Sequence, residues 1–201
     1  MKYPQFIGIA GPMDSGKSTV GRFIASLLSE ELKVYMLPLA DKVKQIAREI
    51  GWDGVKDERG RRLLQLIGTE CGRNLVSKEV WLMHWRFALM DTAGWDMAVA
   101  DDVRFPNEAD YIISQGGIII QMLRPTGRQV LCQECHTHES EVERLPDELV
   151  TAVIRNERGR SDLAMDVAEL FDDIRRGLRN EELSRRGVHK HLKTALVRWQ
   201  G

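Results

Sequence analysis

Residues Gly11 to Ser18 read GPMDSGKS, a full match to the phosphate-binding pattern G-x-x-x-x-G-K-[ST]. Each fixed position has a chemical reason. Gly11 and Gly16 let the backbone curl so that successive N–H groups face an anion. Lys17 brings an ammonium to the outer phosphates, and the Ser18 hydroxyl is a hard oxygen ligand suited to Mg²⁺. The flanks agree with this reading. FIGIA at 6–10 reads as a buried strand, and 19–28 places Val20, Phe23, Ile24, Leu27 and Leu28 on one helical face. Strand, glycine loop and helix N-terminus in succession form an anion site, because the helix dipole and the first N–H groups converge there. The bland alternative is a chance match in a turn, and the flanks argue against it.

A second run, AVADDVRFPNE at 98–108, also carries chemistry. An apolar strand ending in acid is how a phosphate-loop enzyme sets a carboxylate near its metal, usually through water. Asp102 or Asp101 suits this role. Strand alternation sends them to opposite faces, so one of the two is expected to reach the site. Arg104 follows, and its guanidinium suits forked contact with a phosphate. The bland alternative is an acidic turn followed by a surface arginine.

These residues need a scaffold to position them. Five apolar, strand-like runs lie at 6–10, 33–37, 97–100, 117–123 and 151–154. Helical patterns fall between them, at about 40–50, 57–73, 78–92, 106–115 and 161–178. Short apolar strands alternating with helices imply a doubly wound α/β sheet, parallel and buried on both faces. Two intervals exceed a simple crossover. Residues 38–96 are expected to be a helical, acceptor-binding insertion, and residues 124–150 a lid, both beside the carboxyl ends of the strands. The organisation expected is one domain over 1–179 and a basic helical tail over 180–201.

The bulk properties narrow the classes. A chain of 201 residues with 43% hydrophobic and 29% charged residues can bury one good core. Its net charge of −1 points to neither a nucleic-acid nor a membrane surface. No apolar run approaches the roughly 20 residues that cross a bilayer, and the N-terminus does not read as a signal peptide. The three cysteines, Cys71, Cys132 and Cys135, make no disulfide framework, and a reducing cytoplasm is expected.

The sequence resembles the phage-type deoxynucleoside monophosphate kinases, which are adenylate-kinase-like phosphate-loop kinases. The residues that carry the resemblance are GPMDSGKST at 11–19, LADKVK at 39–44, GWDGVKDERGRRLLQLIGTECGR at 51–73 and DDVRFPNEA at 101–109. To these add Gly116-Gly117, Leu123-Arg124-Pro125, HESE at 138–141 and Ile154-Arg155-Asn156. The likeness covers roughly 5–175 and leaves the tail out. It implies a five-stranded parallel sheet flanked by helices, with an acceptor-binding insertion and a lid. The activity implied is Mg²⁺-dependent transfer of the γ-phosphoryl group of ATP to a deoxynucleoside 5′-monophosphate. Carried over residue by residue, Gly11, Asp14, Ser15, Gly16, Lys17, Ser18, Thr19 and Asn156 bind ATP. Ser18 and Asp102 serve the metal. Lys17, Asp102, Arg104, Arg124 and Arg128 serve catalysis. Asp41, Lys42, Arg73, Arg104, Glu108 and His138 bind the acceptor. The partners implied are small nucleotides in the cytoplasm, the host's if the gene is phage-borne, with a homodimer left open and no nucleic acid expected.

Other signals read more plainly. Cys132, Cys135, His136 and His138 suggest zinc, but Cys135 and His136 are adjacent and no second C-x₂-C pair exists, so a lid turn is expected. Trp81 and Trp85, at i, i+4 on a helix, are expected in the core, with stacking on a base as the alternative. The run from Lys56 to Arg62 is expected to be a mostly solvated helix start, and the basic tail a solvated helix rather than a nucleic-acid surface. The competing functions are another small-molecule phosphate-loop kinase (phosphomevalonate or dephospho-coenzyme A type), a regulatory nucleotide-binding module, and a polynucleotide-end kinase.

Overall fold

The apolar runs become a five-stranded, all-parallel sheet in the computed structural model, which describes residues 3–123, 144–157 and 160–176. The strands are β1 (Phe6–Ala10), β2 (Val34–Met36), β3 (Met97–Val103), β4 (Ile118–Leu123) and β5 (Ala152–Arg155), in the order β2-β3-β1-β4-β5. The helices of this part are α1 (Lys17–Leu28), α5 (Pro106–Ser114) and α6 (Arg160–Arg176), and the intervening helices fall in sequence between β2 and β3. The doubly wound α/β class expected from the alternation is therefore present.

Period-two alternation explains how the sheet buries itself. Ile7 and Ile9, Met97 and Val99, Ile118, Ile120 and Met122, and Ala152 and Ile154 all join one core cluster. Val20, Ile24 and Leu28 of α1 and Leu163, Val167, Leu170, Phe171 and Ile174 of α6 complete it. The opposite face belongs to α5. A Cβ on Gly8 would come within 2.9 Å of Ile112 and of Val103, and within 2.5 Å of Ile119, so the absence of a side chain lets α5 approach β1. A polar clamp ties the end of α6 to the core face. The Tyr3 hydroxyl accepts from Arg175 and donates to Glu31 Oε2 at 3.3 Å, and Arg175 also pairs with Glu31. Burial raises the Tyr3 phenol above its ordinary range.

Residues Leu37–Gly94 form a separate compact unit. It contains α2 (Asp41–Glu49), α3 (Glu58–Gln65), a π-helix (Leu66–Val76) and α4 (Val80–Asp91). The sequence pattern predicts one helix over 57–73. The structure instead changes winding after Gln65 and runs on to Val76. Gly68 and Gly72 weaken α-helical preference in this stretch, and the N–H of Ser77 still bonds five residues back to Gly72 O at 3.0 Å. Trp81 fixes the arrangement. A Cβ on Gly72 would lie 2.2 Å from its ring, and its indole N–H donates to Gly68 O at 2.5 Å. Trp85 is buried as well and donates to Leu37 O at 2.8 Å. Both tryptophans therefore serve the core of this unit.

The charged run before α3 is largely exposed, with one defined task. Asp57 caps α3 by accepting from the Gly60 N–H at 2.7 Å. Arg62 pairs with Glu70 at 2.7 Å, but both side chains are around half exposed, so the pair adds little stability. Cys71 is an exposed thiol.

Gly72→Ala should destabilise the protein by about 1–3 kcal/mol, because the new methyl meets a ring already fixed by its hydrogen bond. Urea unfolding followed by tryptophan fluorescence measures this. An unchanged midpoint would mean that Trp81 can leave Gly72 at little cost.

Candidate active site

The strand order creates the crevice. The chain leaves β1 through α1 toward β2, and leaves β3 through α5 toward β4, on the other side of β1. α1 and α5 cover opposite faces, so the connections after the neighbouring strands β1 and β3 diverge at their carboxyl ends. That is the topological switch point at which open α/β sheets bind ligands. The glycine loop and the Asp101-Asp102 pair both fall there.

The loop has the backbone its sequence demands. Gly11 has φ 139°, Asp14 φ 57° and Gly16 φ 99°. Asp14 is a non-glycine residue held in left-handed backbone, which costs about 1 kcal/mol or more and needs support from its surroundings. Gly11 is also confined. A Cβ there would lie 2.6 Å from Met122 O of β4. The Lys17 ammonium donates to Gly11 O at 2.7 Å and to Pro12 O at 2.6 Å, bridging the start of the loop. The N-cap of α1 is Gly16, which brings no side-chain acceptor, and the first turn of α1 holds no acid. The positive end of the helix dipole is thus not offset locally. The Ser15 hydroxyl oxygen is buried and, among the described residues, makes no hydrogen bond. Curled backbone, helix terminus, ammonium and a buried hydroxyl together fit a polyphosphate chain. The exposed Ser18 oxygen and a β3 carboxylate are hard donors of the kind Mg²⁺ takes.

The end of β3 departs from regular pairing. β1 and β3 run in register through Gly8↔Ala100, but the next pair is Ala10↔Val103, so β3 carries an extra residue. Such a bulge breaks alternation. Val103 returns to the α5 face beside Gly8, 2.9 Å from where its Cβ would be. Asp101 and Asp102 both lie between the paired positions, and both are half-buried. The Asp101 Cβ lies 3.6 Å from a would-be Cβ on Gly21, one turn beyond Ser18. Asp102 stands one residue nearer the level of Ala10, where the loop begins.

The turn after β3 is built by Glu108. Its carboxylate is buried, and Oε2 accepts from the backbone N–H of Arg104 at 2.9 Å and of Phe105 at 3.1 Å. This is the reach-back of a helix N3 residue, with Pro106 opening α5. These two bonds to Glu108 fix the backbone that presents Arg104, whose side chain is exposed. Asn156 has a comparable place. Its side-chain N–H donates to Ser15 O at 3.1 Å, and its backbone N–H to Leu123 O at 2.9 Å.

The structure brings the loop at 11–19, Asp101, Asp102, Arg104, Glu108 and Asn156 to the carboxyl ends of one sheet. Asp41, Lys42 and Arg73 belong to the helical unit. There Asp41 accepts from the Gln45 amide at 2.8 Å and Lys42 donates to the same side chain at 3.4 Å. Arg73 is buried in the π-helix. Arg124, Arg128, His138, Cys132 and Cys135 lie outside the described residues, as does the tail from 177.

No motif in the sequence marks one further residue near the site. Gln121 is fully buried in β4 beside Ala10, and its carbonyl accepts from the Leu145 N–H at 3.2 Å. The signal was a single amide inside an otherwise apolar strand run, where burial requires a partner.

No protein-family model matches the chain. The deoxynucleoside-5′-monophosphate kinase of Escherichia phage T5 is 29% identical over 118 residues, which are 56% of this chain and 45% of the phage protein. The chain thus spans less than half the length of that relative. Among solved structures, the APS kinase CysC of Mycobacterium tuberculosis aligns over 85% of this chain and 98% of its own, at 14% identity and TM-score 0.45. Shikimate kinase from Aquifex aeolicus aligns over 83% and 96%, at 12% identity and TM-score 0.43. No helix among the described residues is long and apolar enough to cross a membrane. A protein of Acanthamoeba polyphaga mimivirus, provisionally named a deoxynucleotide monophosphate kinase, is 31% identical over 164 residues, 68% of this chain and 80% of its own length. With that identity over four fifths of a relative, the chain belongs to the deoxynucleoside monophosphate kinase family.

Proposed function

We propose that the chain transfers the γ-phosphoryl group of ATP to the 5′-phosphate of a deoxynucleoside monophosphate, in the presence of Mg²⁺. The observation that carries this reading is the meeting of the glycine loop with the Asp101-Asp102 end of β3 at the switch point. Membership of the family supports a deoxynucleoside monophosphate as the acceptor.

The chemistry asks for positioning and positive charge more than for covalent help. The second pKa of a phosphate monoester lies near 6, so the acceptor oxygen is already anionic at neutral pH and needs no general base. Residues 11–19 cradle the donor phosphates, and Lys17 turns from the loop carbonyls to the transferring group. Ser18 and Asp102 would hold Mg²⁺, which would neutralise charge on the phosphate oxygens. Asp102 is preferred to Asp101 because it lies nearer the start of the loop. Arg104 faces the acceptor phosphate from a turn that Glu108 keeps rigid. The resemblance further implies acceptor-binding roles for Arg73, Asp41, Lys42 and His138, and catalytic roles for Arg124 and Arg128. A coupled ADP-release assay over a panel of deoxynucleoside monophosphates, ribonucleoside monophosphates, phosphomevalonate, dephospho-coenzyme A and 5′-hydroxyl oligonucleotides tests the reading. Turnover confined to either of the last three classes would overturn it.

Lys17→Ala should lower kcat by about a hundredfold or more, with far-UV circular dichroism unchanged because the residue lies in a loop and at a helix start. Asp102→Asn should lower kcat and raise the Mg²⁺ concentration needed for half-maximal rate, and Asp101→Asn should do so less. The reverse order, measured by Mg²⁺ titration of initial rates, would move the metal role to Asp101.

Arg104→Ala and Arg73→Ala should each cost about 1.5–3 kcal/mol of acceptor recognition, tenfold to a hundredfold in kcat/KM for the monophosphate. The affinity for a non-hydrolysable ATP analogue should hardly change. Equal loss of analogue affinity in a binding titration would place these arginines on the donor side.

A further inference from the structure

The hydrogen bond from Asn156 to Ser15 joins residues 141 positions apart and reaches the backbone of the loop itself. Ser15 C=O and Gly16 N–H belong to one trans peptide plane, in which carbonyl and N–H point opposite ways. Holding the carbonyl therefore also sets the direction of the next N–H. Asn156 is itself held, since its backbone N–H is fixed to Leu123 O at the end of β4. Its amide nitrogen lies 3.0 Å from where a Cβ on Gly16 would stand, with Leu163 of α6 at 3.4 Å, so the entry to α1 is walled on this side. The Ser15 hydroxyl makes no hydrogen bond among the described residues and the Ser15 N–H turns to Pro12 O at 3.3 Å, while the Ser15 carbonyl accepts from Asn156.

We infer that Asn156 is a positioning residue of the donor site: it turns the Ser15–Gly16 peptide so that the Gly16 N–H faces the polyphosphate. Resting on the phosphate-donor reading of the loop, the inference replaces direct contact between Asn156 and ATP, which the resemblance implies, with action through the loop. It separates cleanly from that alternative. A residue that touches the base or ribose discriminates among nucleotides. A residue that orients a backbone N–H affects any polyphosphate alike.

The test measures binding of ATP, GTP and inorganic tripolyphosphate, each with Mg²⁺, by calorimetry to the full chain. Asn156→Ala should weaken all three by a similar factor, about tenfold for one lost hydrogen bond. Asn156→Asp, nearly the same shape, should be worse, since it sets a carboxylate oxygen against the Ser15 carbonyl. Asn156→Ser, which keeps a short donor, should lose least and stands in if the alanine variant fails to fold. In steady state the KM for ATP should rise while the KM for the acceptor stays within twofold, a split that general destabilisation would not produce. Tripolyphosphate affinity within twofold of wild type in both Asn156→Ala and Asn156→Asp would overturn the inference, as would a loss confined to ATP. Lys17→Ala is the control. If it too leaves tripolyphosphate binding intact, the phosphate-loop reading itself fails. If it abolishes binding and Asn156→Ala does not weaken it, the inference fails alone.

Discussion

A polyphosphate carries its charge on oxygens spaced a few ångströms apart, and backbone N–H groups can hold it only if several point inward at once. The chain between Gly11 and Lys17 does not adopt that curl by preference. It needs three positive φ values, one of them at the non-glycine Asp14. The ends of β1, β4 and β5 hold it in place. Gly11 is pressed against Met122 of β4, Gly16 against Asn156 and Leu163, and the Ser15 carbonyl is tied to Asn156. The parallel sheet is therefore the frame that sustains a strained loop, and its apolar core supplies the stability with which the strain is borne.

The second support concerns side chains. A guanidinium on a long stem is placed only as well as the backbone below it. Glu108 spends a buried carboxylate on the N–H groups of Arg104 and Phe105, which fixes that turn against α5. The pattern repeats at the loop, where Asn156 fixes backbone. In the helical unit Trp81 performs a similar service for the GTECGR block by lying on Gly72 and bonding to Gly68 O. A π-helix is seldom stable in isolation and is found mostly where function retains it. Here it carries Arg73 in a buried position.

Legibility from sequence followed the range of the interactions. The strand, loop and helix at 6–28 were readable because the pattern is local and each residue has its own reason. The alternation of elements gave the α/β class, since buried parallel strands are apolar throughout. Pairwise features were hidden. The bulge between Ala100 and Val103 is a relation between β3 and β1, and no run of residues in β3 alone reveals it. The change from α- to π-winding after Gln65 depends on Trp81 packing across Gly72. The helical period over 57–73 cannot register it. The DVRFPNEA block carries the family likeness, but it does not reveal that Glu108 accepts from the backbone N–H groups of Arg104 and Phe105.

Asp101 and Asp102 show why such pairwise detail matters for chemistry. The extra residue in β3 sets both acids between Ala100 and Val103, at the level where the loop departs from β1. Asp101 packs beside Gly21, where even a methyl side chain on α1 would come within 3.6 Å of its Cβ and within 2.6 Å of Met36. The small residue at 21 thus sets how closely α1, and with it Ser18, approaches the acid end of β3. The hydroxyl and carboxylates suited to a metal come from separate strand–helix units of the fold, and their spacing is governed by a glycine that bears no functional group.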